Sequence, residues 1–107
     1  MSTKSMVVPS NSYDHGGVPR SLPVDVSTWL DAHSDDIQFT DANGNEVNCF
    51  FLNCSADATV QCRALGQTDA QAMPVNLVHG GWHGPFPVST IYKSGTTASA
   101  GIIARVA

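Results

Sequence analysis

The stretch Ala58-Thr59-Val60-Gln61-Cys62-Arg63-Ala64 alternates apolar and polar side chains without a break. Successive side chains of a strand point to opposite faces, so this period predicts a half-buried β-strand with Ala58, Val60, Cys62 and Ala64 inward. Leu65-Gly66 ends it, and a polar loop runs to Gln71. Downstream, Val75, Leu77 and His79 repeat the period as far as Gly80-Gly81. Phe86, Val88 and Thr90 then open a strand that Ile91-Tyr92 carry to Lys93. Ser94-Gly95-Thr96-Thr97 reads as a turn, and Ile102 to Val106 as a closing strand. Upstream, Val24 and Val26 alternate with Asp25 and Ser27. Ile37 and Phe39 alternate again before Asp41-Ala42-Asn43-Gly44-Asn45. Asn-Gly between such runs signals a hairpin, because both residues tolerate positive φ. Its returning arm is expected over Val47 to Asn53, with Phe50 and Leu52 on one face and Cys49 and Phe51 on the other. Both faces are apolar, which predicts burial on each side or at a subunit contact.

Helix has little support. Ser27 is placed to cap one turn through Thr28 to Ala32, but no run keeps a helical apolar period over three turns. Several short strands divided by turn signals predict an all-β fold, a small β-sandwich or jelly-roll-like domain over residues 24–107. Residues 1–23 are expected to form an extended N-terminal arm. Pro9, Pro19, Pro23 and Gly16-Gly17 interrupt regular pairing there. Met6-Val7-Val8 is the one apolar run in that arm, so these three residues are its natural anchor on a neighbouring subunit; the alternative is a disordered terminus.

At 107 residues and 11.3 kDa the chain has the length of one domain. Its net charge is −4 and only 13% of its residues are charged, against about 25% in an average soluble domain. Five Lys and Arg build no basic stripe, which argues against direct nucleic-acid binding. No apolar run has the length of a bilayer span or a signal peptide, so neither a membrane role nor secretion by that route is expected. Cys49, Cys54 and Cys62 make an odd set and are expected as reduced, buried thiols.

The sequence carries no catalytic constellation. His79 and His83 bracket Gly80-Gly81-Trp82, but the cysteines lack the close pairing of zinc sites, so no metal and no cofactor are expected. His79, Asp57 and Cys62 can be assembled on paper as a nucleophilic triple, without a Gly-x-Ser-x-Gly elbow or any other supporting motif. Asp35-Asp36 are adjacent and on a strand would face opposite ways, unlike a glycosidase pair; they read as a solvated loop before a strand. The glycines around Trp82 precede no helix, so they make a poor phosphate cradle. An enzyme is therefore not expected. Trp82 between glycines is placed either to stack on a sugar ring or to pack into a partner.

The stretch from Pro85 through Ile91-Tyr92-Lys93-Ser94-Gly95-Thr96-Thr97-Ala98, followed by Gly101-Ile102-Ile103-Ala104, resembles the spike-base proteins of tailed bacteriophages and phage-like gene transfer agents. That family carries an Arg or Lys on a Pro-started strand, then a Thr-Gly-Thr-Thr-Ala turn and a final strand. Here Ser94 stands for the first Thr. The resemblance spans residues 47–107 and is strongest over the last twenty or so; residues before it are not matched, and loop lengths over 58–84 differ. It implies a virion structural protein assembled in the host cytoplasm, a capsid decoration or cement protein or the base of a head spike. The implied partners are two further copies in a homotrimer, and the major capsid protein or other virion proteins. A tail or baseplate component and a carbohydrate-binding host-recognition module are the alternatives. Met6, Val7, Val8, Phe51, Trp82 and Ile103 are the expected partner-binding residues, because a lone small domain hides such side chains poorly.

Overall fold

The computed structural model describes residues 3–8, 12–13, 19–20 and 23–106. The remaining positions of the expected arm lie outside the described residues. Among the described residues the strands are β1 (Thr3–Val7), β2 (Ser12–Tyr13), β3 (Pro19–Arg20), β4 (Val24–Asp25), β5 (Asp36–Thr40), β6 (Phe51–Asn53), β7 (Ala58–Arg63), β8 (Met73–Leu77), β9 (Thr90–Tyr92) and β10 (Ile103–Arg105). One sheet has the order β1-β5-β9-β7-β8, a second β4-β10-β6, and β2 pairs with β3. The fold is a small all-β, sandwich-like domain with, among the described residues, one short α-helix, α1 (Val26–Ala32).

The core lies between the two larger sheets. Strand β7 buries Ala58, Val60 and Cys62 on alternate positions, as its period predicts. Ile91 of β9 sits in register with both Cys62 and Ile37, so the three share the inner face. Phe39, Leu77 and Val8 join them, and Leu52 and Ala104 oppose them from the second sheet. These side chains are all buried. Burial of apolar area at about 25 cal/mol per Å² is the main stabilising term of such a core.

The outer face of the larger sheet is polar and is organised by Glu46, the single glutamate of the chain. Gln38 Nε2 donates to its Oε1 at 2.8 Å, and Arg63 Nη1 to its Oε2 at 3.1 Å. The Ser89 hydroxyl donates to the same carboxylate. Arg63 Nε lies 3.5 Å from Asp69, and the Tyr92 hydroxyl donates to that carboxylate at 2.5 Å.

Helix α1 exists although its sequence promises only one turn, and the cap is Asp25 rather than Ser27. The Asp25 carboxylate accepts from the Thr28 amide at 3.0 Å and from its hydroxyl at 2.8 Å. Ser27 is buried inside the helix, and its Oγ accepts the Ile102 N–H at 2.7 Å. At the other end Lys93 Nζ donates to the Leu30 carbonyl at 2.7 Å and also to the His33 carbonyl. A cation there satisfies orphan carbonyls and opposes the negative end of the helix dipole. Tertiary contacts of this kind supply what seven residues lack on their own.

The hairpin after β5 forms, with Asp41 Oδ1 accepting the Asn43 and Asn45 amides at 2.9 Å. Its return is shorter than expected. After the Thr40↔Glu46 bridge the chain crosses to Val88 at Cys49 and enters the second sheet at Phe51. The predicted alternation fails in consequence: Cys49 and Leu52 are buried while Phe50 is exposed. Asp35 and Asp36 are buried, not solvated. Asp36 Oδ1 accepts the Lys93 amide at 2.8 Å, and Asp35 lies 3.8 Å from Lys4 Nζ.

The Gly-Thr-Thr turn has a structural task. Strand β9 pairs with only half of β7. Beyond it, Thr96 Oγ1 accepts the Gln61 N–H at 3.0 Å and Thr97 Oγ1 accepts the Thr59 N–H at 3.1 Å. Gly95, at φ +89°, makes the turn, and a Cβ there would come 3.3 Å from Gln61 Cβ. Replacing Thr96 by Val leaves the Gln61 amide unpaired and is expected to cost about 1–3 kcal/mol. Thr96→Ser should retain most of the stability; equilibrium denaturation of the three proteins measures the difference.

Candidate interaction face

The second sheet presents an outer face whose members follow from its register. Arg105 stands opposite Phe51, and Ile103 stands opposite Asn53 and Asp25. Alternation puts these side chains outward, since Leu52 and Ala104 between them are buried inward. The Arg105 guanidinium carbon lies 4.9 Å from the Phe51 ring centroid and 4.5 Å from that of Trp82. An Arg over an aromatic face is attracted by the ring quadrupole, by about 0.5–2 kcal/mol depending on solvation.

Trp82 reaches this face because its loop is tied to β6. Leu52 and His83 exchange both backbone hydrogen bonds, at 3.0 and 2.7 Å. His83 Nε2 is 2.7 Å from the Val78 carbonyl, which folds the loop on itself. Gly84, at φ +141°, is required by proximity: a Cβ would fall 2.2 Å from the Phe50 carbonyl oxygen. Trp82 remains 37% exposed and Val78 61%.

The six expected partner residues therefore divide. Phe51, Trp82 and Ile103 meet on one outer face. Met6, Val7 and Val8 belong to the β1 end of the other sheet, where β1 runs parallel to β5 of its own chain in the register Met6↔Phe39. Val7 is exposed at 59%. Val8 is buried at 6% and Met6 packs partly against the core, so Val8 is a core residue and not a surface contact. Arg105 escaped the sequence reading. Its signal was the odd-numbered face of the closing strand, where it follows Ile103 by two.

Of the paper triple, the structure joins only two members. His79 Nδ1 lies 2.8 Å from Asp57 Oδ1, which also accepts the His79 amide at 3.1 Å. The hydrogen bond from the His79 ring holds the Asp57 carboxyl below its ordinary range. Cys62 is at the far end of β7, facing Met73. It floors an apolar groove of about 390 Å³ with Met73, Val75, Phe86 and Pro87 among the lining residues. A second, more polar groove of about 310 Å³ includes Asp57, Thr59, Asn76 and Thr97. Among the described residues no group of three or more His, Cys, Asp or Glu is placed to hold a metal ion. No helix among them is long and apolar enough to cross a membrane.

Burial pushes the Cys49 thiol up to about 12 and the Cys62 thiol up to about 11. A thiol reagent at neutral pH should label neither in the folded protein and all three cysteines after denaturation. Burial, followed by the Asp69 carboxylate, pushes the Tyr92 phenol up to about 12. Its folded value exceeds its unfolded value, so its contribution to stability is present below about pH 10 and is lost as pH rises through about 12. An absorbance titration compared with that of Tyr92→Phe should place this midpoint near 12, and Asp69→Asn should lower it. No family model, curated protein or solved structure matches the chain.

Proposed function

We propose that this chain is a structural protein of a phage particle. In this reading it binds the shell as an oligomer, a homotrimer, and either decorates or cements the capsid or forms the base of a head spike. The observation that carries the reading is the face built by Phe51, Arg105, Trp82 and Ile103. Aromatic residues and Arg are the side chains enriched at the energetic centres of protein interfaces. Exposed Phe50 and Val78 belong to the segments that frame it. The Gly95-Thr96-Thr97-Ala98 resemblance supports the address on a virion, and its role in closing β7 explains why such a motif is useful to this fold.

Adhesion then works by repetition. Contacts that are weak singly become strong when symmetry presents several at once, through effective concentration. Trp82 is engaged with Arg105, which favours a protein contact over stacking on a sugar ring.

Quantitative mass spectrometry of purified particles tests the assignment. Hundreds of copies indicate a capsid cement, about a dozen a vertex spike base and a handful a tail part, by the arithmetic of symmetric assembly. Trp82→Ala should leave the fold intact and reduce occupancy on particles. Absence of the chain from particles overturns the proposal.

A further inference from the structure

Every cation whose side chain is described, except Arg105, has an oxygen partner. Lys4 lies 3.8 Å from Asp35, Arg63 is held by Glu46 and Asp69, and Lys93 caps the helix. Arg105 has the two aromatic rings and, among the described residues, no hydrogen bond or ion pair. Its Nε is buried without a partner, so the donors open to an incoming group are the two Nη atoms, which have no hydrogen bond among the described residues. Rings hold a guanidinium in place but do not neutralise its charge, and its N–H donors suit a carboxylate in bidentate geometry. A braced, half-buried Arg with unused donors is thus prepared for an incoming anion.

The acids show the complementary pattern. Asp25 caps α1, Asp36 takes the Lys93 amide and Asp41 closes its turn. Asp57 is held by His79, Asp69 by Tyr92 and Glu46 by Arg63. Asp31, exposed in the last turn of α1, has no such partner among the described residues. It gains nothing from its own helix, since an acid near the C-terminus is repelled by the dipole. The chain as a whole is acidic, at −4.

We propose that Arg105, braced by Phe51 and Trp82, receives the Asp31 carboxylate of a second copy of this chain. Made head to tail, the contact repeats around an axis and closes a ring, as the homotrimer reading requires. This rests on the oligomeric reading of the chain and identifies the contact that would build it. The face is the outer surface of a sheet, which suits a macromolecular partner better than a small ligand.

The test is light scattering and sedimentation of the full chain at low and raised salt, with thermal unfolding as the control for folding. The wild type should assemble, and salt should weaken the assembly. Arg105→Gln and Asp31→Asn should each weaken self-association about tenfold or more. Arg105→Lys should recover only part of it, because it keeps the charge and loses the planar fork. The exchanged pair, Arg105→Asp with Asp31→Arg, should assemble better than either of its single changes. A monomeric wild type overturns the proposal, and so does an Arg105→Gln variant that assembles like the wild type. Loss with Arg105→Gln but not with Asp31→Asn overturns Asp31 as the acid. In each case the particle copy number still decides the virion assignment independently.

Discussion

The N–H groups of β7 that β9 does not satisfy are the constraint on which the rest of the domain depends. That strand is six residues long, and the neighbour on one side, β9, is three. Buried or half-buried amides left without acceptors are costly, so the chain must return to the same edge. Thr96 and Thr97 do this with their hydroxyls, and Thr97 N–H also donates to the Thr59 carbonyl at 2.9 Å. That return also positions the end of the chain. A short 3-10 turn over Ala98–Ala100 presents the Ala100 carbonyl to Ser55 and Ala56, which anchors the loop between β6 and β7. Ile102 then arrives where Ser27 and Val26 bind its backbone, and β10 enters the second sheet between β4 and β6.

The scarcity of charge has a similar structural explanation. Several of the few charged groups here hold backbone groups or a shared network. Lys93 serves a helix end, Asp36 holds the Lys93 amide, and Glu46 gathers three donors from separate segments. Such groups have specific geometric work and are poor substitutes for a general solubilising coat. The surface that remains contains Val7, Leu65, Met73 and Val78 exposed by about half or more, which is where low charge content has its consequence.

The alternation of β7 was legible because the strand is paired on both sides and buried on one face, so its period is undisturbed. Residues 47–53 were not, since period two assumes one continuous strand. Here the chain changes sheets between Cys49 and Phe51, and the alternation breaks at the change. Helix α1 was underestimated for a different reason. Its supports, Lys93 and Ile102, are remote in sequence, and local pattern carries no trace of them. Phe51 and Ile103 were expected as partner contacts because their strands are apolar on both faces, but which face points outward is set by the sheet register. Arg105 became visible as their companion only through the β6–β10 register and the approach of the Trp82 loop.

Strand β1 is the one member of the larger sheet that runs parallel to its neighbour, and it lies at the sheet edge, paired with β5 alone. Its partner is remote along the chain, so forming this pair requires a large loop to close after the rest of the sheet is in place. Folding should therefore add β1 late, and unfolding should release it early as a local event. The domain is stratified accordingly: backbone amides of β1 exchange through opening of one edge, while those of β7 and β9 await loss of the whole core. Release of β1 would uncover the edge of β5 and the pocket that Val8 fills, giving the folded ensemble a minor form with an adhesive edge.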